Sequence, residues 1–169
     1  ILCFNSKQMI GNGQIIPAGP LRESLNAIHR ADCIIINGDK NLEFEEKIFK
    51  LKGNKKLHIF YSKYKIKNIE KLKDKTITAF AGIGNPSNFF DLLIESNLNL
   101  NKIHTFPDHH NYSKEDFEIL NREKSNVLVT TEKDYYRLTE NQKKICQFIE
   151  VDLEIENQEI FKNTIKSYL

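Results

Sequence analysis

The 169-residue sequence contains no apolar run that approaches the ~20 residues of a membrane-spanning helix, so no such helix is predicted within it. Cysteine is also scarce. Cys3, Cys33 and Cys146 are far apart and odd in number, which argues against a disulfide framework and a cysteine metal site. We therefore expect buried free thiols in a reducing compartment. The net charge of +2 is too small to indicate nucleic-acid binding by itself.

The composition that remains is that of a globular protein. Hydrophobic residues make up 40% of the chain and charged residues 28%, which is enough to bury a core. The length fits one domain, or one domain and a piece of another. The chain begins with Ile1 and not with methionine, and residues 1–4 resemble a strand already inside a sheet. We therefore expect a fragment whose N-terminal part is missing.

Apolar strands alternate with helical patterns along the chain, which predicts an α/β fold with a mostly parallel sheet flanked by helices. The predicted strands are residues 1–4, 32–38, 76–81, 102–106, 126–131 and 146–151. The predicted helices are residues 86–95, 113–124, 135 to about 138 or beyond, and 158–169. Segment 41–52 fits either a short helix or a strand. Segment 55–69 alternates, as a half-exposed strand or pair of strands does.

Segment 11–23 contains three glycines and two prolines, which predicts a rigid, shaped loop. Pro20 is expected to open a helix that continues to about Arg30, with Arg22 and Glu23 in its first turn. A glutamate there suits the helix dipole, whereas an arginine does not. Arg22 is therefore either part of a surface ion pair or a ligand for a phosphate or carboxylate.

Three polar segments follow successive predicted strands: residues 82–85, 108–110 and 131–134. In a parallel sheet they would lie along one edge, where ligands bind in open α/β folds. The first segment, Gly82-Ile83-Gly84-Asn85, lacks the Gly-Lys-Ser/Thr of a Walker A loop and the third glycine of a dinucleotide fingerprint. It is either a tight strand-to-helix turn or an anion site at a helix N-terminus.

The adjacent histidines His109 and His110 are the second candidate. A metal site is disfavoured, because neighbouring residues rarely reach the same ion and no cysteine is suitably spaced. Either histidine could be structural, or could act as a general base or orient one, with Asp108 or another carboxylate setting its tautomer. In the third segment, Glu132-Lys133-Asp134 is either a surface charge run or a source of functional groups at Lys133 and Asp134.

Five segments, in this order, resemble the tetraacyldisaccharide 4'-kinase family, the lipid A 4'-kinases of Gram-negative bacteria. They are Gly11-Asn12-Gly13, residues 17–23, residues 79–86 with Phe89-Phe90, Asp108-His109, and residues 130–134. The resemblance covers nearly the whole chain. It implies a P-loop kinase that uses ATP and Mg²⁺ to phosphorylate the 4'-hydroxyl of an acylated glucosamine disaccharide 1-phosphate. It implies no nucleic-acid partner.

The same resemblance implies a domain organisation. Residues 1–50 would be the end of the P-loop core domain and 51–72 an extended connection. Residues 73–169 would be a smaller C-terminal α/β domain, whose last helix packs back on the core. The Walker A loop, the catalytic aspartate and the membrane-anchoring segment would all lie upstream of Ile1. ATP and Mg²⁺ would then be bound mainly by the missing part, at the cytoplasmic face of the inner membrane, and this chain alone would be inactive.

The resemblance also implies roles for particular residues. His109 matches the family's histidine that supports the catalytic aspartate from the other domain, whereas His110 falls at a variable position. Asn12, Arg22 and Glu23 match a loop that faces the active site, which we interpret as contact with the disaccharide headgroup.

Asp108, Lys133 and Asp134 would support His109 from the same sheet edge. Asn5 stands where members often carry an aspartate, so no acidic role is expected there. The alternative function is a stand-alone nucleotide- or sugar-binding α/β module without kinase activity.

Overall fold

The structure is a computed structural model that describes residues 1–122 and 127–168. The chain divides into two compact units, residues 1–63 with 153–169 and residues 64–152. Both contain parallel strands and helices, so the predicted α/β class is confirmed. The division falls inside two strands, β3 (His58–Ile66) and β8 (Val151–Ile155). The assignment of residues 1–50 to the end of a P-loop domain stays a prediction.

The first unit is built on a sheet with the strand order β1-β2-β3-β8. Strands β1 (Leu2–Asn5), β2 (Cys33–Asn37) and β3 pair in parallel. Strand β2 is almost entirely apolar, as expected for a strand covered on both faces. The ambiguous segment 41–52 is helix α1 (Leu42–Lys52), which the Asn41 side chain caps by accepting the Phe44 N–H at 2.9 Å.

The predicted helix beginning at Pro20 is wrong. The Leu21 N–H donates to the Gln14 carbonyl at 3.1 Å, and the Leu21 carbonyl accepts the Ile16 N–H at 2.8 Å. These bonds hold the chain in a folded-back loop past Leu21. A short 3-10 helix (Leu25–Arg30) begins only after Ser24, whose hydroxyl accepts a main-chain N–H. The candidate residues at 22 and 23 therefore precede the helix.

The second unit is a four-stranded sheet with the order β5-β4-β6-β7, in which each pairing is parallel. The strands are β4 (Thr76–Ala81), β5 (Asn99–Thr105), β6 (Val127–Thr131) and β7 (Cys146–Ile149). Helix α2 (Pro86–Glu95) covers one face with Phe89, Phe90 and Leu93. Helix α3 (Lys114–Asn121) packs against Phe80 on the other face. This two-faced cover explains why β4 is buried along nearly its whole length.

The proline and capping residues in the sequence predicted the starts of α2 and α3 correctly. Helix α2 has the predicted bounds, although the Asn85 side chain makes no capping bond. Helix α3 begins with the predicted capping box, in which Ser113 and Asp116 each bond the other's main-chain N–H. Strand β5 begins at Asn99, three residues before the predicted start. The predicted helix residues 123–124 and strand residue 126 lie outside the described residues.

Two further predictions need correction. The helix after β6 does not begin at residue 135: α4 (Glu132–Tyr135) follows the strand directly, and α5 (Glu140–Lys143) comes next. Thr131 starts α4 early because its hydroxyl caps the Asp134 N–H. The predicted strand at 146–151 is split between β7 and β8, which belong to different sheets. The closing helix is α6 (Gln158–Lys166), whose Phe161 packs edge-on against Phe60 of β3.

The three cysteines are free, but only two of them are buried. Cys33 and Cys146 are enclosed as expected, whereas Cys3 is exposed, so the prediction of three buried thiols is wrong for Cys3. Burial raises the pKa of the Cys146 thiol to about 12, which keeps it protonated and unreactive at neutral pH. Within residues 1–122 and 127–168, no helix has the length and apolar character needed to span a bilayer.

Candidate functional site

The three polar segments predicted to share a sheet edge do meet in the second unit. They follow β4, β5 and β6, whose carboxyl ends lie side by side because the strands are parallel. The His109 N–H donates to the Gly82 carbonyl at 3.1 Å. The Gly82 N–H donates to the Asp134 carboxylate at 3.0 Å. Main-chain groups of one segment are thus bonded to both of the others, which confirms the predicted proximity.

Asp134 lies at the centre of this edge with a side-chain exposure of 0%. Its carboxylate accepts hydrogen bonds from the Gly82 N–H and from the Thr131 hydroxyl at 2.8 Å, and it forms an ion pair with Arg137 at 3.4 Å. A buried carboxylate is costly unless it is bonded in this way. Because Asp134 has no exposed surface, it holds the site together and does not face a ligand.

Arg137 is the site residue that sequence reasoning missed. Its Nη2 lies 3.0 Å from the Nδ1 of His109, and its Nη1 lies 3.3 Å from the Gly82 carbonyl oxygen. The available signal was its position three residues after Asp134, in the turn that follows α4, where its main-chain N–H donates to the Asp134 carbonyl at 2.9 Å. Arg137 is also one of only four arginines in the sequence.

The backbone of His109 adopts a left-handed conformation with φ of +62°. This conformation costs a non-glycine residue roughly 1–2 kcal/mol. The bonds to Gly82 and Arg137 hold it there. Its imidazole is nevertheless 70% exposed, with Nε2 3.8 Å from the nearer carboxylate oxygen of Asp108. Strain retained by surrounding contacts, with a polar side chain turned to solvent, is characteristic of functional sites.

Asp108 and Lys133 lie beside His109 at the surface. Their charged groups are 3.7 Å apart, and both side chains are about half exposed. An exposed pair of this kind contributes little to stability, about 0–1 kcal/mol. Both groups can therefore rearrange around a ligand at small cost.

His110 has a different environment from its neighbour. Its Nε2 lies 2.9 Å from the Asp116 carboxylate, and its ring stacks on Phe106 with centroids 4.7 Å apart. Burial raises the pKa of Asp116, but hydrogen bonds from Ser113 and from His110 outweigh it, so the pKa is lowered overall. His110 therefore links the start of α3 to the aromatic core beneath it, and it has a structural role.

Gly82 leaves no room for a side chain. A Cβ atom there would come within 2.9 Å of the Tyr112 hydroxyl oxygen and 3.0 Å of the Pro107 carbonyl oxygen. Tyr112 is buried, and burial together with the negative charge of Asp134 raises its pKa above the ordinary value. The Tyr112 phenol is therefore neutral.

The other three candidate residues lie in the first unit. Asn12 is engaged within its own loop, where its Nδ2 donates to the Ala18 carbonyl and its Oδ1 accepts the Gln14 N–H. Glu23 forms an ion pair with Arg30. Arg22 is exposed, lines a depression beside β1, and has no hydrogen bond or ion pair to any described residue.

The glycine turn after β4 does not have the features of a phosphate-binding loop. The sequence has no Gly-Lys-Ser/Thr loop, and the Gly82 N–H at the start of the glycine turn is already bonded to Asp134. Among the residues described, no group of three or more His, Cys, Asp or Glu side chains could hold a metal ion. The edge is suited instead to orienting a polar group by hydrogen bonding.

Comparison with known proteins decides the family. The sequence model of the tetraacyldisaccharide-1-P 4'-kinase family matches residues 1–169. The chain belongs to this family. The kinase of Pelagibacter ubique is 34% identical over 98% of this chain and 54% of its own length. That of Rickettsia akari is 36% identical over 98% of this chain and 50% of its own length.

The chain therefore spans about half the length of these curated tetraacyldisaccharide 4'-kinases. One solved relative is LpxK from Aquifex aeolicus, described as an "apo" form in complex with ATP. It matches with a TM-score of 0.62 and 23% identity, over 98% of this chain and 51% of its own. This likeness shows that the two proteins share a fold. It agrees with the family that the five sequence segments predicted.

Proposed function

We propose that this chain is part of a kinase that transfers the γ-phosphate of ATP to the 4'-hydroxyl of tetraacyldisaccharide 1-phosphate in lipid A biosynthesis. Membership of the family supports the reaction. One observation indicates what this chain contributes. The exposed imidazole of His109 is held on a strained backbone by Gly82 and Arg137. His109 is the group that the second unit contributes to the reaction centre.

Phosphoryl transfer depends mainly on positioning and charge stabilisation. A hydroxyl nucleophile also needs a base, and a carboxylate base works better when a neighbouring group orients it. The family resemblance assigns that carboxylate, the ATP-binding loop and the Mg²⁺ site to residues outside this chain. His109 would then steady the carboxylate, while Asp108 and Lys133 complete the polar surroundings.

In the first unit, Arg22 is the residue proposed to meet the disaccharide headgroup. Its guanidinium is exposed and has no partner among the described residues, so it can pair with a phosphate. Asn12 and Glu23 are already engaged in local contacts and would keep the loop in shape. The reaction would take place at the cytoplasmic face of the inner membrane, with membrane contact made by residues outside this chain.

The adjacent histidines provide a matched test in the full-length enzyme. His109→Ala should slow turnover by about 10²-fold or more, the usual span of acid–base assistance. His110→Ala should slow it far less, because His110 bonds Asp116 and faces the core. The measurement is the initial rate of formation of the 4'-phosphorylated lipid. Equal losses in the two variants would refute the assignment to His109.

A second experiment tests where ATP binds. The isolated 169-residue chain, mixed with ATP, Mg²⁺ and tetraacyldisaccharide 1-phosphate, should give neither ATP hydrolysis nor lipid phosphorylation. The full-length enzyme serves as the positive control. Measurable turnover by the isolated chain would show that its own residues bind the nucleotide, contrary to the proposal.

A further inference from the structure

The contact between Arg137 and His109 constrains the proton on the imidazole. A guanidinium carries only donors and stays charged in proteins, so it cannot accept a hydrogen bond. Its Nη2 lies 3.0 Å from His109 Nδ1, within hydrogen-bond distance. Nδ1 must therefore be unprotonated, because its lone pair accepts this hydrogen bond. The ring proton then resides on Nε2.

We propose that Arg137 is a positioning residue that fixes His109 in its Nε2–H tautomer, so that His109 acts as a hydrogen-bond donor to a carboxylate and not as a proton acceptor. Taking a proton would require Nδ1, which already faces a permanent positive charge. The tautomer follows from the geometry alone. The role as a donor during catalysis rests on the proposed kinase function.

The arginine is itself firmly held. Its side chain is only 21% exposed, and it contacts both the buried Asp134 carboxylate and the Gly82 carbonyl. Asp134 in turn accepts hydrogen bonds from Gly82 and Thr131. Arg137 therefore cannot turn away from His109 without breaking contacts in a buried network, which is what a positioning residue requires.

The remaining charges around the ring agree with this tautomer. The Asp108 carboxylate lies 3.8 Å from the Nε2 of His109. The Nζ of Lys133 lies 3.7 Å from the other oxygen of that carboxylate. The separation of 3.8 Å is too long for a hydrogen bond, so the Nε2–H remains available to another acceptor. His110 differs, because its Nε2 is already bonded to Asp116. Of the two neighbours, only His109 offers a donor to a group outside its own unit.

The tautomer can be read directly by nitrogen NMR. The full-length kinase would be labelled with ¹⁵N in its histidine rings, and loss of one ring signal set in His109→Gln would assign the residue. At a pH where the ring is neutral, wild type should show a protonated Nε2 and an unprotonated Nδ1. Arg137→Met should shift both signals toward a mixture of tautomers, and Arg122→Met, an exposed arginine in the same unit, should not. A wild-type His109 with its proton on Nδ1 would overturn the inference.

Steady-state kinetics of the full-length enzyme test whether Arg137 positions His109 for catalysis. Arg137→Met should lower kcat roughly 10-fold to 10²-fold, the range expected when a reacting group is slightly misplaced, with little change in KM for ATP. Arg137→Lys should recover part of the loss, because it restores one charged donor without the planar fork. Arg122→Met should match wild type.

If His109 acts as a hydrogen-bond donor, substitutions at this residue should differ in the activity they retain. The side-chain amide of His109→Gln can donate a hydrogen bond but cannot take up a proton, so it should retain several-fold more activity than His109→Ala. Equal activity of these two variants would overturn the donor role. If the NMR result holds but neither His109→Ala nor Arg137→Met alters kcat, the tautomer stands and the proposed catalytic use of His109 fails.

Discussion

The polar edge of the second unit and the loop at residues 11–23 of the first unit are both candidate sites, but their bonds differ in range. In the edge, Asp134 bonds Gly82 across 52 residues of sequence, and Arg137 bonds His109 across 28. In the loop, Asn12 bonds a carbonyl six residues away, and Glu23 pairs with Arg30 seven residues away.

This difference implies different consequences of substitution. Side chains in the edge hold three strand ends together, so changing one should alter the stability of the unit as well as the rate. Side chains in the loop have local partners or none, so their substitution should act on binding and leave the fold intact. Substitutions in the edge should therefore have larger effects on stability than substitutions in the loop.

Asp134→Ala should destabilise the full-length enzyme by about 3–5 kcal/mol, because it leaves the Arg137 charge and the Gly82 N–H unpaired in a buried site. Asp152→Ala is the matched control, since that carboxylate is 62% exposed and lies 3.5 Å from Lys67. It should cost no more than about 1 kcal/mol. The measurement is urea-induced unfolding of both variants. Similar losses would show that Asp134 is not the structural centre of the edge.

Gly82→Ala should cost about 1–3 kcal/mol of stability, because the new Cβ would overlap the Tyr112 hydroxyl and the Pro107 carbonyl. Gly84→Ala in the same turn should change stability by less than about 0.5 kcal/mol, since its nearest neighbour would be an Asp108 oxygen at an ordinary 3.5 Å. Thermal unfolding of the two single variants measures the difference. A Gly82→Ala variant as stable as Gly84→Ala would contradict the close packing.

Arg22→Ala should raise KM for the lipid substrate about tenfold or more, the value of one hydrogen bond to a charged group. Because Arg22 has no partner among the described residues, stability and kcat should stay near wild type. Lys50→Ala, which removes an exposed positive charge from α1, should leave KM unchanged. An unaltered KM in Arg22→Ala would count against headgroup contact.

Asp116→Asn should cost about 1 kcal/mol at neutral pH, the usual value of a helix cap. The folded-state pKa of Asp116 is lowered, so its contribution is complete above the unfolded carboxyl range near 4 and is lost as the pH falls through the lower folded value. The stability gap between wild type and variant should therefore shrink on acidification. Glu118→Gln, at an exposed site of α3, should show no such gap, and a pH-independent gap for Asp116→Asn would refute the ionic origin.

Much of the second unit could be predicted because its signals are local. A proline in the first turn placed α2, a serine with an acidic residue three positions later placed α3, and continuous apolar runs indicated strands buried on both faces. The helix expected at Pro20 failed because main-chain bonds between Leu21 and the preceding loop compete with it, and sequence periodicity carries no information about such bonds.

The sequence by itself determined the α/β class, the family and the meeting of three polar segments at one edge, because apolar strands, the polar residues that follow them and helix caps are local features of a sequence. Only the tertiary structure decided which of two adjacent histidines faces solvent. That choice depends on a left-handed backbone at His109, a carbonyl at Gly82 and a guanidinium at Arg137, which come from three separate strand ends. Such an arrangement exists only once the parallel sheet has brought those ends together.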